Sequence, residues 1–194
     1  SYYHIDIYCS GDTMLRPLGS KIIYSERFIL RPFSIYDGQM MYSLYLSDPE
    51  VCKYLEFNAY SSVAEVNNSL MTYILNYRNP FYFHWAIVDK TNEYVIGSAS
   101  IHNINFNSRC GELGICISRY YWHKGVGKEV LSTIMDFGVK EVGFIEYEAY
   151  YMEGNVASMN LLKSLGFYET RNSNKIMIKN DNKFLIKKLK IKYY

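Results

Sequence analysis

Cysteine is scarce in this chain: four residues (Cys9, Cys52, Cys110 and Cys116), with no two in a C-x-x-C pair. His is equally rare, at four. A structural zinc site needs clustered ligands, so no metal is expected, and buried reduced thiols of a cytoplasmic protein are the expected state. No uninterrupted apolar run approaches the roughly 20 residues of a membrane helix, and no secretory signal pattern is recognisable. Net charge is nearly missing as well. The 21 Lys+Arg against 19 Asp+Glu leave +2, without the strongly basic face of a protein that coats nucleic acid. Neither a membrane nor a nucleic acid is expected as a partner.

What is present is a chain of 194 residues, 49% hydrophobic and 21% charged, which excludes wholesale disorder. That length supports one domain whose core needs no disulfide or metal. Aromatic residues reach 17%, with 21 Tyr, which suggests strands and a pocket lined by aromatic edges. Residues 1–20 lack hydrophobic periodicity, start without Met and end in Gly19-Ser20. They read as a vector-derived leader or a disordered arm, and the folded unit is expected to span 21–194.

From Lys21 onward the pattern is regular. Residues 28–33 read as a strand that Pro32 ends, and 37–46 carry apolar residues at helical spacing. Asp48-Pro49 opens a short helix, and the capping box Ser62-Val63-Ala64-Glu65 opens a longer one. The middle is strand-rich: 82–88, 94–104 and 112–118, the first two parted by a hairpin signal at 89–93. Residues 125–142 turn helical, 144–151 return to strand, 155–164 form a helix, and closing strands follow with a turn at 180–182. The segment from Lys179 holds six Lys and one Asp, which reads as a solvated strand edge guarded by charge. One mixed α/β (α+β) domain is expected.

Two stretches carry chemistry. In Trp122-His123-Lys124-Gly125-Val126-Gly127-Lys128 a strand runs through a glycine turn into a long helix. Backbone N–H groups are left free at a helix N-terminus and are backed by its dipole, a ready site for phosphate. Gly125 and Gly127 permit close approach, and Lys124 and Lys128 add charge. The run is neither a P-loop nor a Rossmann fingerprint, since the Lys-Ser/Thr pair and the third Gly are absent. The second stretch runs from Glu153-Gly154-Asn155 to Leu165-Gly166-Phe167, with Asn155 and Ser158 at a helix start. Capping alone would explain either residue.

In this order, the two stretches resemble the GNAT superfamily of N-acetyltransferases, and within it the RimJ/RimL-like ribosomal-protein N-terminal acetyltransferases. The resemblance covers 25 to the C-terminus in six blocks: E-R-F-I-L-R-P-F from Glu26, S-D-P-E-V from Ser47, I-G-S-A-S-I-H-N-I from Ile96, E-L-G from Glu112, Y-W-H-K-G-V-G from Tyr121, and N-V-A-S…L-G-F from Asn155. It implies the GNAT fold: a twisted, mostly antiparallel mixed sheet, helices on both faces, and a V-shaped splay between two central parallel strands, 112–118 and 144–151. Acetyl-CoA as cosubstrate would lie in that V. Its pyrophosphate would meet the backbone of Lys124, Gly125, Val126, Gly127 and Lys128. Its pantetheine would pair along Ile115, Cys116 and Ile117, with Asn155 bonding that region and Ser158 near the sulfur. The sequence departs from the family at Trp122 and His123, and at Leu162, where many members carry an acidic Tyr.

The implied reaction is direct attack of a neutral amine on the thioester. Thiolate leaves with little help, so a weak acid suffices, and the resemblance implies Ser158. Glu112 is the candidate base, sharing a strand face with Gly114 and Cys116; a purely structural Glu is the competing reading. His84 and His102 read as packed imidazoles or proton relays, and Cys116 as packing. The acceptor is an amine, with a peptide or protein N-terminus expected over a polyamine or antibiotic. A CoA-binding scaffold without catalysis is the reading from another class. Monomer and homodimer fit equally.

Overall fold

The computed structural model describes residues 14–171 and 174–193. Its strands are β1 (Ile23–Tyr24), β2 (Phe28–Arg31), β3 (Phe83–Asp89), β4 (Val95–Asn105), β5 (Cys110–Ile117), β6 (Glu146–Met152), β7 (Tyr168–Glu169), β8 (Lys175–Lys179) and β9 (Asn182–Lys192). They form one sheet in the order β1-β2-β3-β4-β5-β6-β9-β7, with β8 also beside β9. Every pairing is antiparallel except β5 with β6.

Period-2 alternation splits the core between the two sheet faces. On β2, Phe28 and Leu30 join one hydrophobic cluster while Ile29 packs against the other. The first cluster is covered by α4 (Val126–Phe137) and α5 (Val156–Ser164). The second is covered by α1 (Gly38–Met41), a π-helical stretch at Tyr42–Leu46, α2 (Pro49–Cys52) and α3 (Val63–Asn76). Trp85, Ile87, Leu30 and Phe83 are almost wholly buried, each contributing about 1.5–3 kcal/mol relative to exposure. No helix among the described residues is long and apolar enough to cross a membrane.

Local chemistry starts the helices where the sequence places them. Asp48 accepts from the Glu50 N–H at 3.0 Å ahead of Pro49, and Ser62 accepts from the Glu65 N–H at 3.2 Å. The reciprocal bond of the box goes to the Ser61 N–H rather than to Ser62, with Glu65 Oε2 at 2.9 Å. The turn between β8 and β9 holds Asn180 and Asp181 at φ 50° and 63°, the left-handed pair of a tight hairpin.

Two expectations are corrected. The lysine-rich segment is not a sheet edge: β9 runs between β6 on one side and β7 and β8 on the other. Its lysines answer carboxylates on β6, with Lys188 Nζ 2.8 Å from Glu148 and Lys190 paired to both Glu146 and Glu148. The folded unit also reaches beyond residue 21. Leu15 is buried, the Arg16 N–H donates to Val142 O at 2.8 Å, and Ser20 Oγ bridges Tyr82 O and the His84 N–H. The rest of the expected leader, 1–13, lies outside the described residues and includes Cys9.

Candidate active site

The parallel ladder between β5 and β6 stops early. Its last rung joins Leu113 to Ala149, yet β5 continues to Ile117 and β6 to Met152, each still paired to its outer neighbour. The facing edges 114–117 and 150–152 therefore form a gap. Backbone direction within the gap follows from one bond: the Ser118 N–H donates to Ile96 O at 2.7 Å, toward β4. Alternation then turns Cys116 and Gly114 toward β4 and leaves the backbone groups of Ile115 and Ile117 facing the gap. The Ile117 carbonyl is already taken by the Trp122 indole N–H at 2.9 Å. The Ile115 and Ile117 N–H groups and the Ile115 carbonyl remain. Of the three strand residues expected to meet pantetheine, Cys116 thus presents its backbone elsewhere, and its side chain packs in the α1–α3 cluster.

Beyond β5 a 3-10 turn (Arg119–Tyr121) leads to α4. Gly125 is the N-cap at φ 72°, a left-handed conformation open to glycine, and no side chain caps the helix. The first helical bond is Glu129 N–H to Gly125 O at 3.1 Å. The N–H groups of Gly125, Val126, Gly127 and Lys128 have no acceptor among the described residues. Lys124 turns back instead, with Nζ 2.9 Å from Tyr120 O, while Lys128 is exposed. Gly127 has a packing reason of its own: a Cβ there would stand 2.8 Å from Leu161 Cδ2 of α5.

At the start of α5, Asn155 Oδ1 accepts from the Ser158 N–H at 3.2 Å, so capping is realised. Ser158 is half-buried and its hydroxyl has no partner among the described residues. Leu162, at the position of the missing Tyr, is core.

Glu112 lies opposite His102 on β4. Asn103 Nδ2 donates to Oε2 at 2.8 Å, and His102 Nε2 is 3.4 Å from Oε1. On its other side the His102 ring meets Ser100, Nδ1 to Oγ 2.9 Å. Burial works to raise the Glu112 pKa, but the hydrogen bonds of His102 and Asn103, with the charges of His102 and Lys175, hold it below the ordinary 4.5. The residue is a carboxylate at neutral pH. No hydrogen bond or ion pair among the described residues joins Glu112 to Ser158.

Burial, then the nearby Cys52, pushes the Cys116 thiol up to about 12, so it is not a thiolate nucleophile. His84 sits among Phe33, Tyr73 and Tyr82, and burial followed by the charge of His102 lowers its pKa to about 4. Cys110, Glu146 and Glu148 form an acidic group whose ligand atoms lie within 4.8 Å of one another. Lys188 and Lys190 pair with the carboxylates, and burial, then the charges of Glu148 and Glu146, pushes the Cys110 thiol up to about 12, an arrangement poorly disposed to a cation.

The family described as Acetyltransferase (GNAT) domain matches this chain over residues 27–168. The chain belongs to the GNAT acetyltransferases. The GNAT relative p20 of Bacillus licheniformis, an uncharacterized N-acetyltransferase, is 30% identical over 75% of this chain and 81% of its own length. Two solved GNAT structures share the fold at TM-score 0.73. The ribosomal-protein-S5-alanine acetyltransferase of Vibrio fischeri is 18% identical, over 87% of this chain and 96% of its own. The spermidine N-acetyltransferase of Vibrio cholerae, solved with CoA and spermine, is 17% identical, over 86% and 95%.

GNAT enzymes use acetyl-CoA, and the residues here fit that molecule: an unpaired strand edge suits the pantetheine amides, and four free N–H groups on a helix start suit a diphosphate. Sequence reasoning missed Trp122 as the cap on Ile117 and Tyr45, whose buried hydroxyl has no hydrogen-bond partner among the described residues. Trp122 stands where the family pattern has Gln or Arg, so its oddity was the available signal. Nothing local marks Tyr45.

Proposed function

We propose that this GNAT enzyme acetylates the α-amine of a protein or peptide N-terminus, as the RimJ/RimL-like group does, with acetyl-CoA as donor. The observation that carries the acceptor choice is charge balance on the sheet face beside the gap. Glu146 pairs with Lys190, Glu148 with Lys188 at 2.8 Å, and Glu112 feels His102 and Lys175. A polyamine needs unmatched carboxylates, and every acid named here has a basic neighbour. An α-amine of pKa about 8 is also far less protonated at neutral pH than an alkylamine of about 10. The two Vibrio neighbours act, by their names, on an alanine of a ribosomal protein and on spermidine. Likeness of fold therefore favours neither, and the charge pairing is what supports the N-terminal α-amine.

Acetyl-CoA supplies a thioester whose carbonyl the amine attacks and whose thiolate leaves. Ile115 and Ile117 offer strand-edge donors and an acceptor to the pantetheine, and the N–H groups of Gly125 to Lys128 meet the diphosphate. Asn155, as the α5 cap, fixes the helix start that carries Ser158. The Ser158 hydroxyl is the proton donor to the departing sulfur. Glu112, ionised and held by Asn103 and His102, takes the amine proton, and Ser100 continues that chain. Three described cysteines are free thiols, which accords with a cytoplasmic setting.

The test is CoA release with short peptides differing at their first residue, set against spermidine, an aminoglycoside and a lysine peptide with a blocked N-terminus. Distinct kcat/KM values among the peptides are expected. A tenfold or greater advantage for spermidine or the aminoglycoside would replace this reading with a small-amine enzyme.

A further inference from the structure

An acid stands in the first turn of α4, close to where an anion is to bind. Glu129 accepts from Ser25 Oγ at 2.5 Å, from the Arg27 backbone N–H at 2.9 Å and from Arg27 Nε at 2.7 Å. Those contacts leave both terminal nitrogens of the Arg27 guanidinium without a hydrogen-bond partner among the described residues. One of them lies beside the loop: a Cβ built on Gly125 would meet Arg27 Nη2 at 3.8 Å, the one contact it makes beyond its own stretch of chain among the described residues. The guanidinium lies over the Phe28 ring at 5.4 Å, and the Arg27 side chain is 44% exposed. Its turn is anchored by Lys90, whose Nζ donates to Ser25 O at 2.6 Å and Glu26 O at 3.2 Å.

We propose that Arg27 binds the diphosphate of acetyl-CoA, its terminal nitrogens adding two donors to the N–H groups of Gly125 to Lys128 while its Nε neutralises Glu129. The inference rests on the cofactor reading above. A carboxylate in the first turn favours the helix itself but opposes a second anion at the same end, and a guanidinium between them reconciles the two. Its planar fork matches phosphate oxygens, which a lysine does as a point charge only.

The experiment is calorimetric titration of acetyl-CoA, acetyl-dephospho-CoA and S-acetyl-pantetheine into wild type, Arg27→Gln, Arg27→Lys and Glu129→Gln. Arg27→Gln is expected to weaken both nucleotide donors roughly tenfold or more and to leave acetyl-pantetheine unchanged. Arg27→Lys, which keeps a charge beside Glu129, is expected to lose roughly threefold and carries the test should the Gln variant not fold. Glu129→Gln is expected to hold or improve nucleotide affinity. The proposal is overturned by equal losses for acetyl-pantetheine, by a Glu129→Gln loss as large as that of Arg27→Gln, or by a loss confined to the donor with a 3′-phosphate. A wild type that binds acetyl-CoA no better than acetyl-pantetheine would instead remove the diphosphate site itself.

Discussion

His102 and Glu112 face each other across neighbouring strands, Nε2 to Oε1 3.4 Å, with Ser100 on the far side of the imidazole at 2.9 Å. The arrangement holds a carboxylate ionised against the pull of its own burial. In the proposed mechanism this gives a base that stays available over a wide pH range.

Glu112→Gln is expected to lower kcat by about 10²-fold or more with little change in acetyl-CoA affinity. The folded pKa lies below the ordinary 4.5, so an acid limb in kcat at higher pH belongs to the acceptor amine. The same shift contributes stability above the unfolded pKa, lost as pH falls through the folded one. Full activity in the Gln variant would return Glu112 to a structural role.

Cys116 adjoins the gap, but its thiol is pushed up to about 12 by burial. Direct transfer predicts that Cys116→Ala keeps kcat within a few-fold, and that the folded protein resists alkylation there at pH 7.5. A lost burst of CoA release in the Ala variant would indicate an acyl-thiol intermediate.

Legibility followed the range of the chemistry. Asp48, Ser62 and Asn155 could be assigned as caps because each acts on residues two or three positions away. Gly125 was legible as the turn into α4, and the alternation of β5 correctly grouped Glu112, Gly114 and Cys116. The parallel pair β5 and β6 followed from the family resemblance, whereas the place of β9 between β6 and β7 was not legible, because it joins segments far apart in the chain. Lysines 188 and 190 looked like edge guards until Glu146 and Glu148 were found opposite them. Leu15, in a segment without periodicity, entered the core for the same reason. Arg27 beside Gly125 likewise joins distant segments through the fold alone.

Gly127 illustrates a residue with two demands on it. Gly127→Ala sets a Cβ 2.8 Å from Leu161 Cδ2, the far end of a flexible side chain that can shift, so the crowding is expected to cost only about 1 kcal/mol, the low end for overpacking. Leu161→Ala in the same chain should recover about 1 kcal/mol of that as a coupling energy, read from urea unfolding of the four-member cycle. Additive losses would mean that α5 does not press on Gly127. Lys128 is exposed, and Lys128→Glu is expected to weaken acetyl-CoA binding in a calorimetric titration without touching this contact.

His84 supplies the last prediction. Its Nδ1 is 2.8 Å from the Tyr82 hydroxyl, rings of Phe33 and Tyr73 enclose it, and burial followed by the charge of His102 lowers its pKa from 6.5 to about 4. Unfolded chains therefore bind a proton at this site where the folded chain does not, throughout the interval between those values. Stability from His84 is complete above pH 6.5 and is lost as pH falls toward 4, integrating to about 3 kcal/mol. His84→Asn keeps an acceptor for Tyr82 without the titration. Its deficit against wild type should shrink by up to that amount between pH 7 and pH 4.5 in urea melts, because only the wild type pays for the acid. A deficit constant across that range would mean that the imidazole is protonated in the folded state and reaches solvent.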